Sequence, residues 1–195
     1  MRSALVAFCG VVALCAAPAA FQEATGQPEV VRPFAPAGSI YFDLSAGDYT
    51  VKGTDEGVIR VTWTTRDRDG SRAWADVQVH GTRATIRTRG PRNRFKVQID
   101  VPRRSDLDMT LTAGELDIRA VDGNKRLSMW AGQATMQVGD AELYRRVDAT
   151  VRAGEISASP LGRATEGLFR SLRWDGKGKY TISASLFAGE IRLVR

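Results

Sequence analysis

The sequence has few of the residues on which catalytic and metal sites are commonly built. Its two cysteines, Cys9 and Cys15, both lie among the first twenty residues, and His80 is its one histidine. Beyond residue 20 the sequence therefore allows no disulfide, no thiolate nucleophile and no cysteine-ligated zinc. His80 would have to serve any Ser-His-Asp arrangement, and no Gly-x-Ser-x-Gly motif accompanies it. These absences predict a protein that is not an enzyme and holds no metal or cofactor.

Long hydrophobic runs are also missing, apart from a short one at the start of the chain. Arg2 precedes the apolar run 4–17, and small residues follow at 16–20, which is the order of a secretory signal peptide. The run is shorter than the roughly 20 residues that a membrane-spanning helix needs. We expect residues 1–20 to be a signal peptide, and the protein to be exported to the periplasm or the cell surface without a stable membrane span.

The rest of the chain shows no convincing helical period and is rich in alternating apolar and polar residues. Phe95, Val97, Ile99 and Val101 give the clearest case, and alternation of this kind predicts strands with one buried face. The segment 21–38 contains three prolines and is interpreted as a flexible lead-in. Residues 39–195 are expected to form a single all-β repeat domain.

An Ala-Gly pair recurs five times between matched flanking residues. The pairs begin at Ala46, Ala113, Ala131, Ala153 and Ala188. Apolar residues, with small alanines at some positions, stand two and four places before each Ala and two and four places after each Gly. The inward parity slips by one residue at each pair, and a strand can absorb such a slip only in a bulge or a corner.

The spacing of these pairs predicts the architecture. The three central pairs are 18 and 22 residues apart, which suits one coil of a solenoid. We therefore expect a β-solenoid or β-helix-like stack of short strands with Ala-Gly corners, and a β-sandwich is the alternative. A residue that directly precedes an Ala has outward parity. Trp130 and Phe187 hold this position and predict a small exposed aromatic patch.

These repeats resemble a known family when they are taken together with two later segments. The segments are Gly167-Leu168-Phe169-Arg170-Ser171 and Trp174-Asp175-Gly176-Lys177-Gly178-Lys179-Tyr180. The chain from residue 39 to residue 195 is similar to bacterial proteins of the DUF4097 type, which are grouped as adhesins with repeated β-strands. The resemblance implies an exported, solenoid-like β domain, and it brings no catalytic residues.

Two regions outside the regular repeat carry the candidate ligand-binding residues. The first surrounds Gly90-Pro91, interpreted as a hairpin turn, and contributes Arg87, Arg89, Arg92 and Arg94. These cations could bind anionic glycans or phosphates, or they could simply keep a hairpin solvated. The second is the segment 163–179, which would be either a binding loop or a cap on the last coil. It contributes Phe169, Arg170, Arg173 and Trp174.

A polar residue follows each of the five glycines. These residues are Asp48, Glu115, Gln133, Glu155 and Glu190. Stacking in register would align them in a ladder. Paired carboxylates could hydrolyse glycosides or bind Ca²⁺, or they could be no more than solvated acids beside a corner.

The net charge and the expected compartment limit which classes of partner the protein can bind. The net charge is +6, which attracts anions, but nucleic acid is not expected because the protein is exported and shows no recognition module. The sequence therefore predicts a non-enzymatic, adhesin-like binding or scaffolding module of the cell envelope. Its expected partner is an envelope protein or an anionic glycan. The alternatives are a polysaccharide-active enzyme that uses the acidic ladder and a self-associating structural envelope protein.

Overall fold

A computed structural model describes residues 28–65, 73–91 and 94–195, without the side chains of 163–167. The expected signal peptide lies outside these residues. The described chain is all-β, as predicted, with two short 3₁₀ helices at Ala141–Leu143 and Ser159–Leu161. Its strands are β1 Glu29–Pro33, β2 Ser39–Leu44, β3 Gly47–Thr54, β4 Val58–Thr64, β5 Trp74–His80, β6 Arg83–Arg89, β7 Lys96–Pro102, β8 Asp106–Arg119, β9 Lys125–Gln137, β10 Tyr144–Ala158, β11 Arg163–Asp175 and β12 Tyr180–Val194.

The strands form one open, mixed sheet that divides into two arms. The long strands β8, β9, β12, β10 and β11 lie side by side in that order and contribute to both arms. Beyond β8, the first arm continues through β2 and β6 to β5, and the second continues through β3, β7 and β4 to β1. β2 and β3 are the two halves of the repeat at Ala46-Gly47, so this repeat is where the arms separate.

The two arms enclose one hydrophobic core. The hydroxyl oxygens of Tyr49 on β3 and Thr88 on β6 lie 2.8 Å apart and form a buried hydrogen bond between the arms. At the far ends of the arms, β1 contacts β5. The sandwich alternative is compatible with this layered arrangement, and the closed coils of a solenoid are not shown.

The predicted parity slip at Ala-Gly is confirmed. All twenty residues that the repeat marks as inward are buried: Phe42, Leu44, Tyr49, Val51, Met109, Leu111, Leu116, Ile118, Leu127, Met129, Ala134, Met136, Ala149, Val151, Ile156, Ala158, Ala184, Leu186, Ile191 and Leu193. A straight strand would direct the two halves of each repeat to opposite faces. The bend at Ala-Gly brings both halves onto the core instead.

The corner glycines stack directly on one another. Gly114, Gly132 and Gly189 have φ angles of 126°, 126° and 129°, a region that residues with a Cβ rarely adopt. A Cβ on Gly132 would lie 1.9 Å from the carbonyl oxygen of Gly114, and one on Gly189 would lie 1.8 Å from that of Gly132. Neighbouring strands can therefore pass this closely only because the corner residue has no side chain.

The order of strands in the stack differs from their order in the chain. β12 lies between β9 and β10, parallel to both, although it follows them in sequence. β11 pairs antiparallel with β10 and forms the edge of the sheet. Most of the segment 163–179 is therefore an edge strand, and the expectation that it forms a loop is corrected. Because β11 runs antiparallel to its neighbour, it does not repeat the pattern of the parallel strands.

Two further expectations are corrected. Residues 29–33 of the expected flexible lead-in form β1, which pairs with β4, and Phe34 is buried in the core. No β6–β7 hairpin forms at Gly90-Pro91, because β6 belongs to the first arm and β7 to the second. The chain crosses between the arms at this point. Gly90 is needed there because a Cβ would lie 2.5 Å from the Phe95 ring.

Candidate functional site

The predicted ligand-binding residues fall into two groups on different parts of the sheet. Arg87 and Arg89 lie on β6, and Arg94 lies just before β7. The other group lies on β11 and consists of Phe169, Arg170, Arg173 and Trp174. Five strands, β2, β8, β9, β12 and β10, separate β6 from β11. Arg92 lies outside the described residues. The structure therefore does not combine the two groups into one site.

Several of these arginines are already engaged by carboxylates. Arg89 Nη2 lies 3.0 Å from Asp43 Oδ2, and Arg87 is level with Asp43 on one side and Asp76 on the other. Arg173 Nε lies 3.0 Å from Asp148 Oδ1. Because these cations have anionic neighbours, they are less available to an anionic ligand than their number suggests.

The two aromatic residues of β11 have different surroundings. Trp174 is partly buried against the core, and a Cβ on Gly176 would lie 2.3 Å from its ring. Phe169 is 78% exposed and has a φ of 52°. It lies opposite Arg152 on β10, between the paired residues 151–170 and 153–168. Trp174 therefore belongs to the packing of the edge strand, whereas Phe169 is presented to solvent.

Phe169 extends a row of outward residues that crosses the first arm beside the corner. The row is level from strand to strand and runs through Thr112 on β8, Trp130 on β9, Phe187 on β12, Arg152 on β10 and Phe169 on β11. We call it the aromatic row. The Trp130 and Phe187 rings are stacked, with centroids 4.2 Å apart and planes 3° from parallel. Arg152 Cζ lies 5.7 Å from the centroid of the Phe187 ring. The exposed aromatic patch predicted from parity is therefore present, and it includes a cation.

A row of hydroxyl groups lies next to the aromatic row on the same outward face. Its members are Thr110, Ser128, Ser185, Thr150 and Ser171, which are level on five neighbouring strands. Between the two rows lies an open groove of about 780 Å³, lined by Thr110, Thr112, Ser128, Trp130, Arg152, Ser185 and Phe187 above the buried Leu111, Met129 and Leu186. Sites for small molecules and polymers commonly combine aromatic surface with a few polar groups in this way.

Among the arginines of this face, Arg89, Arg126, Arg146 and Arg173 are paired with carboxylates, whereas Arg83, Arg87 and Arg152 are not paired with any described residue. Asp43, Asp108 and Asp148 each pair with an arginine, and Asp148 accepts hydrogen bonds from both Arg146 and Arg173. Arg152 forms no ion pair with any residue that the structure describes. It is exposed at the groove and lies over the face of the Phe187 ring. The groove therefore combines aromatic rings, hydroxyl groups and a cation available to an anion.

The polar residues that follow the glycines do align in register on the other side of the corner. Their order across the sheet is Asp48, Glu115, Gln133, Glu190 and Glu155, and we call them the acidic row. Arg192 pairs with Glu190. Within the described ranges, no group of three or more His, Cys, Asp or Glu residues is placed to hold a metal ion. Across the bend, the acidic row lies on the second arm and the aromatic row on the first.

A buried lysine is the main feature that the sequence analysis missed. Lys125 is 2% exposed, and its Nζ donates to the Val121 carbonyl oxygen at 2.7 Å and to the Tyr144 hydroxyl at 2.6 Å. Burial lowers the pKa of Lys125 to about 8, although Asp122 and Asp106 act in the opposite direction. Lys125 and Tyr144 begin β9 and β10, and this bond ties together two strands that are separated by β12.

A second pocket, of about 370 Å³, lies where the strands of the first arm begin. Some of its polar groups bind one another. Asp106 accepts hydrogen bonds from the backbone and side chain of Asn124, which in turn accepts from Thr181, and Arg126 pairs with Asp108. These bonds hold the strand connections together. The side chains of Ser39, Tyr41, Arg83, Thr85 and Ser183 also line the pocket, and none of them is bonded to another side chain in the described part of the chain.

Comparisons with known proteins give distant structural similarities. No protein-family model and no curated protein sequence matches the chain. The chain is similar to a putative cell adhesion protein from Clostridium sporogenes, with 13% identity, coverage of 86% of this chain and 99% of that chain, and a TM-score of 0.48. It is also similar to a putative adhesin from Parabacteroides distasonis, with 15% identity, coverage of 86% and 70%, and a TM-score of 0.27. The resemblance to the DUF4097 family stays a prediction.

Proposed function

We propose that this protein is an exported, non-enzymatic, adhesin-like binding module of the cell envelope, with a solenoid-like stack of repeats as its scaffold. Its ligand is an anionic glycan, and its binding surface is the aromatic row with the neighbouring hydroxyl row. Export is inferred from the leader sequence. The observation that carries the proposal is the exposed Trp130–Phe187 stack, which lies in a groove beside Arg152, a cation that has no ion-pair partner among the described residues.

The chemistry of the groove favours a polysaccharide over other envelope partners. The C–H groups of a sugar ring carry a slight positive charge and pack against aromatic faces, whose charge is negative, and the face of Trp130 that does not contact Phe187 is open to such a contact. Sugar hydroxyls need hydrogen-bond partners, and Thr110, Ser128 and Ser185 supply them along the groove. An acyl chain would gain nothing from these hydroxyl groups. Arg152 adds a preference for a ligand that carries carboxylate or sulfate groups.

The regular spacing of the strands suits a long ligand. Neighbouring strands lie about 4.8 Å apart, so each row presents one side chain per strand along a nearly straight line. A linear polysaccharide also repeats its rings along a line, with a comparable step per sugar. A linear ligand can therefore contact side chains on several successive strands.

The test is a binding assay with the protein produced from its full-length gene. Biolayer interferometry would compare immobilised polygalacturonate, which is linear and acidic, with dextran, which is neutral. We expect wild type to prefer polygalacturonate, and Trp130→Ala to weaken binding by about tenfold because one stacking ring is lost. Tyr41→Ala is the matched control, since Tyr41 is exposed on the first arm but does not line the groove.

Three outcomes would contradict the proposal. Equal binding by wild type and Trp130→Ala would remove the aromatic row from the site. Binding to phosphatidylglycerol vesicles without binding to any polysaccharide would make the row a membrane contact. Capture of an envelope protein by the wild-type protein, with no affinity for acidic polysaccharides, would replace the glycan with a protein partner.

A further inference from the structure

The stacked side chains of the aromatic row form a pile that stops at β8. The planes of the Trp130 and Phe187 rings are nearly parallel, and the distance between their centroids is close to the distance between two neighbouring strands. The faces of the rings are therefore directed along the row, from one strand to the next. Arg152 covers one end of this pile, where it lies over the Phe187 ring.

The opposite face of Trp130 is directed towards β8, where the row continues with Thr112. Threonine is too short to cover an indole ring, and Trp130 is 61% exposed. On the next strand, Ser45 follows the last paired residue, Leu44, and its hydroxyl lies 3.4 Å from the hydroxyl of the buried Tyr49. Arg89 of β6 comes next, but it is drawn towards Asp43 by two hydrogen bonds to its carboxylate. A gap about one to two strand spacings wide thus lies beside the free face of Trp130.

Hydroxyl groups surround this gap. Thr112 lies at its floor, and Thr110 and Ser128 line the groove next to it. None of these three side chains makes a hydrogen bond to another residue in the described part of the chain. A ring that stacked on Trp130 here would meet an aromatic face on one side and free hydroxyl groups below.

We infer that the gap between Trp130 and Ser45 is a binding subsite for one pyranose ring of an acidic polysaccharide. This inference rests on the proposed function and specifies where the ligand binds. The sugar continues the pile of rings by one place, with its C–H face on the free face of Trp130 and its hydroxyls on Thr112, Thr110 and Ser128. The polymer then runs along the row over the ring edges, so that a later carboxylate reaches Arg152.

A substitution that fills the gap tests the subsite directly. Thr112→Phe would place a ring against the free face of Trp130, which should preserve the fold because aromatic neighbours on adjacent strands are favourable. We expect this variant to bind oligogalacturonates at least about tenfold more weakly than wild type, since the sugar is excluded. Thr112→Ser keeps the hydroxyl and leaves the gap open, so its affinity should stay within about twofold.

Tryptophan fluorescence provides a second readout. A sugar that stacks on Trp130 should change its emission when oligogalacturonate is titrated into the wild-type protein. Trp130→Phe keeps a stacking ring without the indole, so the emission change should disappear while weaker binding remains in the interferometry assay. An identical emission change in Trp130→Phe would assign the signal to another tryptophan and overturn the subsite.

The outcomes separate this inference from the proposed function. If wild type binds no acidic polysaccharide, the proposed function itself is wrong. If Trp130→Ala loses binding but Thr112→Phe binds as tightly as wild type, the groove is the site and the pyranose subsite beside Trp130 is wrong. Loss of binding in both variants, with retention in Thr112→Ser, is the result that the subsite requires.

Discussion

The two outward rows beside the corner belong to the same strands but differ in character. In the acidic row, four of the five positions hold a carboxylate and the fifth holds Gln133. The aromatic row changes from Thr112 through Trp130 and Phe187 to Arg152. The acidic row has nearly the same chemistry on every strand, as solvated residues beside a corner would. The aromatic row combines three kinds of side chain in one groove, as a binding surface does.

The difference teaches where function is to be sought in a repeat protein. A repeat needs apolar residues inside and a glycine at each corner, and its outward positions are free to vary. Four of the corner glycines have φ angles between +126° and +141°, so the bend sets both rows in place at once. The scaffold therefore fixes where outward side chains lie, and the choice of side chain in one row decides what can bind.

Replacing a corner glycine should disrupt both rows at once, and this is the largest effect that we predict. In Gly132→Ala the new Cβ would lie 1.9 Å from the Gly114 carbonyl oxygen, at a φ that alanine rarely adopts. We expect the free energy of unfolding to fall by at least about 3 kcal/mol in urea denaturation. Gly139→Ala is the control. Gly139 has a φ of 62° with nothing within 4 Å, so only about 1 kcal/mol should be lost. Equal losses would mean that the glycine stack does not determine the corner.

Much of this scaffold could be predicted from the sequence. The parity slip identified the inward residues on both sides of each corner, and all of them are buried. The same alignment identified the residues of the acidic row, which line up because the repeats stack in register. These features depend on local spacing alone, because a strand alternates with a period of two and each repeat carries its own corner.

The order of the strands and the composition of the candidate site depend on contacts that local spacing does not encode. The position of β12 between β9 and β10 is a matter of which strands pair, and each repeat offers similar edges. β6 looked like half of a hairpin because Gly90-Pro91 is a turn sequence, but the buried Phe95 and the division into arms send the chain to the other layer. Arg152 and Thr112 entered the site only when the register was known, although both directly precede an Ala-Gly pair, as Trp130 and Phe187 do.

The bond between Lys125 and Tyr144 should affect both rows equally, because it connects strands that carry both. The folded-state pKa of Lys125, about 8, lies below its unfolded value of roughly 10.4. Between these pH values the unfolded chain binds the additional proton, so stability rises with pH. Burial raises the pKa of Tyr144 and of Tyr49, so stability falls once pH exceeds about 10.

We therefore expect the free energy of unfolding of the wild-type protein to increase by about 1 kcal/mol between pH 8 and pH 9. Lys125→Met should remove this increase, while binding of polygalacturonate should follow the folded fraction only. Urea titrations at several pH values would measure the slope. An unchanged slope in Lys125→Met would mean that Lys125 keeps an ordinary pKa in the folded protein.

The stacked rings should contribute to stability as well as to binding, which would sharpen the difference between the rows. A double-mutant cycle with Trp130→Ala and Phe187→Ala should give a coupling free energy of about 1 kcal/mol, as expected for an aromatic pair on adjacent strands. The control cycle uses Ser128→Ala and Ser185→Ala, which are level on the same two strands. Its coupling should be close to zero. A zero coupling for the rings would mean that they do not remain stacked in solution.

The smallest predicted effect concerns the acidic row. Gln133 lies between Glu115 and Glu190 in the register, so Gln133→Glu would complete an unbroken run of five carboxylates on adjacent strands. Like charges directly opposite each other destabilise a sheet, and we expect a loss of about 0.5 kcal/mol at low ionic strength. The loss should shrink in about 0.5 M salt because the charges are screened. Gln133→Thr, which adds no charge, is the control.

Neither variant should change the affinity for polygalacturonate at moderate salt, since the row lies across the bend from the groove. If Gln133→Glu weakened binding as much as Trp130→Ala does, the two rows would have to form one site, and the distinction between scaffold and binding surface would be lost.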